Sequence, residues 1–274
     1  MDIIKNHEYG YRFVYPIPED SEISSFYKKK YYKVSKAPDL IKEEETLSWL
    51  ISTLYSDIYT ILKENAVGNR VLDIGCGVGD MLVFLKDKGF NVTGVEVSDC
   101  ACGITRSKGC TVYKEIPNKD KFDVVLLLNV LEHVTNPTTL ISDVKRVLAP
   151  GGILCVLVPN DFSRLQSLSQ KILKKKPWWV SIPDHLNYFN FTSLNTILEK
   201  SGFNIIYTQG DFPIELFLLA GLDYTNNNDI GMWCHKQRMR FELFLPNKLR
   251  RKIYETLALI SIGRSCLIFG VLEK

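Results

Sequence analysis

The chain has 274 residues but only four histidines, no Cys-x-x-Cys pair and no apolar run long enough to span a bilayer. Each shortage excludes something. The seven cysteines, at 76, 100, 102, 110, 155, 234 and 266, are odd in number and lack framework spacing. That argues against a disulfide scaffold, a zinc ribbon or a thioredoxin-type site, and fits free thiols in a reducing cytoplasm. The apolar stretch from Ile253 to Leu272 is broken by Glu255 and Arg264, so it falls short of the ~18 uninterrupted residues of a spanning helix. The opening MDIIKNHEYGYRF lacks the basic-then-apolar layout of a secretory signal. Net charge is scarce too: 34 Lys+Arg against 31 Asp+Glu leaves +3, and no DNA partner is expected from so small an excess. With 46% hydrophobic residues the chain is too apolar for disorder. The expectation is a cytoplasmic globular protein.

What is present is alternation. Strand-like runs occur at RVLDI (70–74), NVTGVEV (91–97), CTVYK (110–114), FDVVLLL (122–128), GILCVLV (152–158) and FNIIYT (203–208). Several are nearly continuous apolar runs, as in a sheet covered on both faces. Helical stretches separate them; one has apolar residues at 140, 141, 144, 147 and 148 and stops at Pro150-Gly151-Gly152. This order predicts an α/β doubly wound, mostly parallel sheet. The expected division is an N-terminal helical lid over 1–69, with a helix from Ile41 to Asn65. A core over 70–208 follows, with a cap insertion at 159–192. A C-terminal extension over 209–274 then ends in a last sheet strand, SCLIFGVLE (265–273).

The most informative segment is VLDIGCGVGD (71–80), a buried strand running into Gly75, Gly77 and Gly79. Glycines there let the backbone turn sharply and bring main-chain N–H groups close to a ligand. A dinucleotide loop, G-x-G-x-x-G, would need glycine at position 80, where this chain has Asp80. Asp73, two residues before the first glycine, suits an ammonium group better than a pyrophosphate. Glu96 ends the second strand, where a carboxylate can accept from both ribose hydroxyls. The ligand these residues describe has a ribose and a cationic part, and S-adenosylmethionine fits.

On these motifs, with FDVVLLLNVLEHVTNP and LAPGGILCVLVPN, the chain resembles the class I S-adenosylmethionine-dependent methyltransferases, in the broad group of the ubiquinone-pathway O-methyltransferases. The likeness runs from about Gly68 to Phe203. It implies a Rossmann-like seven-stranded sheet with the last strand antiparallel, and cofactor at the carboxyl ends of the strands. By residue matching, Asp73, Gly75 and Gly77 face the methionine part, Glu96 holds the ribose, and Glu115 and Ile116 lie near adenine. Cys76, Gly79 and Val97 are further cofactor-binding candidates, as is Asn129, which the fourth strand delivers beside the sulfonium. S-adenosylhomocysteine would be the product.

Asn129-Val130-Leu131-Glu132-His133 follows the fourth strand, and PDHLNYF (183–189) carries Asp184 and His185. Two of the four histidines thus fall in segments expected to border one pocket. Methyl transfer to an alcohol requires loss of the hydroxyl proton, and neutral imidazole titrates in the right range; help of this kind is typically worth ~10²–10⁴-fold. His133 and His185 are the candidate bases. The related enzymes also suggest a divalent metal, held in them by a Glu-x-x-Glu-His set. Here Asn129 replaces the first carboxylate, which weakens a site made of Glu132, His133 and His185. The metal-free reading is preferred.

The connection LQSLSQKILKKKPWW has apolar residues at 165, 168, 172 and 173, then Lys174, Lys175, Lys176 and Trp178-Trp179. It reads as a cap helix over the acceptor, as an anchor on an anionic membrane surface, or as a nucleic-acid contact. Tyr27, Tyr31 and Tyr32, beside Lys28-Lys29-Lys30, resemble lid tyrosines of related enzymes. His235, Arg238 and Arg240 are candidates for contact with an anionic acceptor. The expected activity is O-methylation of a small or carrier-linked acceptor such as a carbohydrate or surface-polysaccharide precursor. The alternatives are a nucleotide-dependent oxidoreductase and a non-catalytic cofactor-binding protein.

Overall fold

The computed structural model describes residues 3–19, 21–22 and 44–273. A hairpin opens the chain, β1 (Ile3–Asn6) and β2 (Arg12–Tyr15). Then α1 (Glu44–Leu50), a π-helical stretch (Ile51–Tyr55) and α2 (Ser56–Asn65) run on without a break. The core follows as β3 (Arg70–Ile74), α3 (Asp80–Asp87), β4 (Asn91–Val95), α4 (Asp99–Ser107), β5 (Thr111–Tyr113), β6 (Phe122–Leu128), α5 (Pro137–Val147) and β7 (Leu148–Pro159). Next come α6 (Arg164–Leu173), β8 (Asn187–Tyr188), α7 (Phe191–Lys200) and β9 (Phe203–Gln209). Three helices, α8 (Glu215–Leu219), α9 (Asn228–Phe244) and α10 (Asn247–Leu259), precede β10 (Ser265–Leu272).

Seven strands form one sheet in the order β5-β4-β3-β6-β7-β10-β9. Strands β3 to β7 pair in parallel, and β10 slots antiparallel between β7 and β9, with Cys266 opposite Val158 and Leu267 opposite Gln209. This is the doubly wound sheet with an antiparallel last strand. Strand alternation divides the core between two faces. Leu72, Val125 and Leu127 meet Ile141 and Val144 of α5 and Leu194 and Ile197 of α7. Val71, Val124 and Leu126 meet Ile58 and Leu62 of α2 and Leu82 and Leu85 of α3. Because both faces are covered, the central strands β6 and β7 read as nearly continuous apolar runs.

The N-terminal segment departs from the expected helical lid at its start. Residues 3–15 form the hairpin, which β8 extends into a second, three-stranded sheet, pairing Arg12 with Tyr188 and Phe13 with Asn187. Tyr11 packs on Phe189 with ring centroids 4.8 Å apart, and burial of that contact outweighs the weak local pattern. The expected helix is seen from Glu44 onward; Tyr27, Lys28, Lys29, Lys30, Tyr31 and Tyr32 lie outside the described residues. Among the described residues, no helix is long and apolar enough to cross a membrane.

Candidate active site

Strand β3 delivers Asp73 and then the glycine turn to the carboxyl edge of the sheet. Gly75, Gly77 and Gly79 all have positive φ, at 74°, 53° and 78°. A Cβ on Gly75 would lie 2.7 Å from Val130, and one on Gly79 would lie 2.8 Å from Thr105. Two of the three glycines are therefore required by packing as well as by backbone conformation. The N–H groups of Gly75 and Cys76 both donate to the carbonyl of Val95, tying the loop to β4.

Glu96 is buried at the end of β4. Its Oε2 accepts from the Gly77 N–H at 3.0 Å and its Oε1 from the Ser98 N–H at 2.7 Å. Each oxygen keeps further lone-pair capacity toward a ligand hydroxyl. Asp73 is 2% exposed, and its Oδ1 has no hydrogen-bond partner among the described residues. Burial, and next the neighbouring Glu96, push its carboxyl up to about 8. A buried acceptor without a partner is costly, and a ligand ammonium would relieve that cost. Burial likewise raises the Cys76 thiol, so its half-buried side chain acts as packing. Val97, next to Glu96, is 81% exposed. Glu115 is exposed after β5, and Ile116 packs against the core. These placements put the expected cofactor residues along one edge.

The turn after β6 carries the second group. Asn129 is left-handed, φ 57°, with its N–H donating to Leu157. The following turn is stapled to the PDHLNYF segment: the Glu132 carbonyl accepts from the N–H groups of Leu186 and Asn187, and the Asn187 side chain donates to Leu131 and Val134. The rings of His133 and His185 are thereby held 4.9 Å apart, nearly perpendicular. Ligand atoms of Glu132, His133 and His185 all lie within 4.8 Å of one another. Glu132 is buried, which pushes its carboxyl up to about 8, and its Oε2 has no hydrogen-bond partner among the described residues.

A cavity of about 610 Å³ opens at the same edge, within the usual range for small-molecule sites. Asn129, His185, Trp178 and Trp179 line it, as do Asp161, Glu215, Tyr224 and Arg264. Burial pushes Asp161 and Glu215 each up to about 7. Periodicity pointed to none of the last four; the available signal was that Asp161 follows a strand's carboxyl end, where α/β ligands sit. The π-helical stretch, a departure often found at functional sites, also supplies Thr53 and Leu54 to the wall.

Of the three candidates in the extension, His235 and Arg238 line the cavity and Arg240 does not. His235 lines the cavity, edge-on to Trp49 at 5.4 Å, and burial lowers its pKa. Arg238 also lines the cavity, buried between Asp211 at 3.1 Å and Glu242 at 3.3 Å, while Arg240 is exposed and outside the cavity lining. Arg250, which follows Lys248 and precedes Arg251 and Lys252 in the sequence, is buried against Asp57 at 2.9 Å.

The family model described as a methyltransferase domain matches residues 48–208. The ubiquinone biosynthesis O-methyltransferase of Bradyrhizobium sp. (strain ORS 278) is 30% identical over 161 residues, covering 52% of this chain and 63% of that protein. A probable S-adenosylmethionine-dependent methyltransferase of Mycolicibacterium smegmatis is 27% identical, covering 57% of this chain and 60% of that protein. The chain thus spans less than two thirds of these relatives' length. The crystal structure of magnesium protoporphyrin IX methyltransferase from Synechocystis PCC 6803, with bound S-adenosylhomocysteine, has a similar fold. It superposes with a TM-score of 0.57 at 16% identity, over 93% of this chain and 100% of that one. With the sheet order, the glycine turn and the carboxyl-edge acids in place, the chain belongs to the S-adenosylmethionine-dependent methyltransferase family.

Proposed function

We propose that the protein methylates a hydroxyl of a small or carrier-linked acceptor, with a carbohydrate or surface-polysaccharide precursor as the favoured class. The carrying observation is the His133–His185 ring pair, of which His185 lines the cavity, on the carboxyl edge of the sheet that also holds Asp73 and Glu96. Bound S-adenosylmethionine supplies an electrophilic methyl group on a cationic sulfonium. Asp73 neutralises the ammonium, and Glu96 orients the ribose while bracing the Gly77 N–H. The cavity aligns the acceptor hydroxyl, and positioning supplies up to ~7–11 kcal/mol in well-aligned cases. His133 or His185 would take the hydroxyl proton as the methyl group passes to the acceptor oxygen, the carbon–sulfur bond breaking and S-adenosylhomocysteine leaving as the neutral thioether. A carbohydrate is favoured because Asp161 and Glu215, near neutrality in their titration, can both donate to and accept from hydroxyls, with Trp178 and Trp179 forming an apolar wall. All seven cysteines are free, which supports a cytoplasmic setting. The test is incubation with labelled cofactor and a metabolite extract. A labelled O-methyl sugar supports the reading; label only on nitrogen or carbon overturns it.

A second reading rests on the proximity of Glu132, His133 and His185. The donor set, one carboxylate and two imidazoles, fits a divalent ion, and the unpartnered Oε2 of Glu132 favours one. There an ion would lower the pKa of the acceptor hydroxyl. Neutral Asn129 in place of another carboxylate weakens this reading, and the metal-free base leads.

A further inference from the structure

Helix α6 is rotated away from its sequence pattern, with Leu165 and Leu173 half-buried and Leu168 and Ile172 turned outward. Its apolar stripe predicts an inward face of Leu165, Leu168, Ile172 and Leu173. The buried residues are instead Gln166 and Ser169, and Leu168 and Ile172 are 49% and 59% exposed. The reason lies on the inner side: Gln166 lines the cavity and hydrogen-bonds toward Asp161 and Glu215, so the face toward the site is polar. The outer face consequently sets Leu168 and Ile172 one turn apart among Arg164, Lys171 and Lys174, all exposed. From Phe162 to Pro183 the chain has no Asp or Glu. Lys175 alone in this run pairs with a carboxylate among the described residues, Asp223 at 2.6 Å. The neighbouring α8 packs on α6 and exposes Leu216 and Leu219.

We propose that this outer face docks reversibly on an anionic phospholipid surface. Exposed aliphatic side chains flanked by cations that have no carboxylate partner among the described residues match the boundary between acyl chains and acidic headgroups. A second copy of the chain would bring like charges together. A nucleic acid would need a stacking platform, yet Trp178 and Trp179 line the cavity instead. Docking would hold the cavity rim about one helix diameter, ~10 Å, from the headgroups, in reach of an acceptor whose lipid carrier stays in the bilayer. That purpose rests on the methyltransferase reading; the docking itself does not.

The experiment is co-sedimentation of the full chain with vesicles of phosphatidylcholine, alone or mixed with phosphatidylglycerol. The expected result is pelleting with the mixed vesicles only, reversed by high salt. Lys171→Gln and Lys174→Gln should each lower partitioning about five-fold, and the Leu168→Ser/Ile172→Ser pair should lower it at unchanged S-adenosylhomocysteine affinity, which shows that the variants fold. Equal pelleting with both vesicles, no pelleting, or variants that pellet like the parent overturns the proposal. A dimer in sedimentation velocity that Leu168→Asp dissociates overturns it as well. Vesicle binding without methyl transfer would sink the proposed function and leave the docking standing.

Discussion

Nδ1 of His133 lies 2.6 Å from the main-chain carbonyl oxygen of Asp184. A carbonyl oxygen only accepts, so Nδ1 carries the proton and the lone pair of the neutral ring sits on Nε2. The segment bearing His185 thus sets the tautomer of His133 through its backbone. His133→Ala should lower kcat by about 10²–10⁴-fold while leaving S-adenosylhomocysteine affinity by calorimetry unchanged, and His185→Ala should act in the same direction. Normal turnover in both variants would remove the base assignment.

That relationship spans two segments which sequence could place only near the same rim. The central strands β3, β6, β7 and β10 were legible because burial on both faces turns them into apolar runs, and the glycine turn was legible because its φ values admit little else. The hairpin of residues 3–15 was not, since four-residue strands such as IIKN and RFVY carry too short a period to separate from loop. The orientation of α6 was hidden for another reason: its apolar stripe is real, but the polar lining of Asp161 and Glu215 decides which face turns inward. The pairing of Asp57 with Arg250, 193 residues apart, leaves no local trace.

Asp73 should make stability and cofactor binding depend on pH. In the folded, ligand-free chain its carboxyl titrates near 8, whereas in the unfolded chain it ionises near 4. The folded state therefore holds the extra proton, and stability falls as pH rises from about 4 through about 8. Binding an ammonium favours the carboxylate, so cofactor uptake near pH 6 should release up to about one proton, read from calorimetry in buffers of different ionisation enthalpy. Asp73→Asn should abolish that release, weaken binding, and raise stability relative to the parent at the alkaline end. Unaltered proton release in the variant would contradict the assignment.

Glu96→Ala removes two charge-assisted hydrogen bonds from Gly77 and Ser98 as well as the ribose contacts. Such bonds are worth ~1.5–3 kcal/mol each. S-adenosylhomocysteine affinity should fall about 10- to 100-fold, together with a measurable loss of stability in the ligand-free chain. Unchanged affinity sinks the ribose role.

The glycine turn and the turn after β6 touch at one point, because a Cβ on Gly75 would meet Cγ2 of Val130 at 2.7 Å. Gly75→Ala should therefore cost ~1–3 kcal/mol from overpacking and ~1–2 kcal/mol from a side chain at positive φ. Val130→Ala removes the clashing methyl groups and leaves the next contact at 3.9 Å. The double variant should recover the packing part only, so a thermal-denaturation cycle should show coupling between the two sites. Strict additivity would mean that the turns do not press on each other.

Finally, Arg250 and Asp57 tie the C-terminal extension to α2. The ion pair is 2.9 Å long with both side chains almost fully buried, Gln209 donates to the same carboxylate, and burial still raises the pKa of Asp57 despite Arg250. Removing the guanidinium leaves the carboxylate in a poorly solvated site with Arg251, 3.6 Å away, as its remaining cationic partner among the described residues, so Arg250→Ala should destabilise by about 3 kcal/mol, the low end for a broken buried pair. The paired change Asp57→Asn/Arg250→Met takes out both charges and should cost much less, since an apolar replacement of a buried pair is often near neutral. Chemical denaturation of the three chains measures both. Equal losses in the single and paired variants would show that lost packing, not the stranded charge, dominates at this joint.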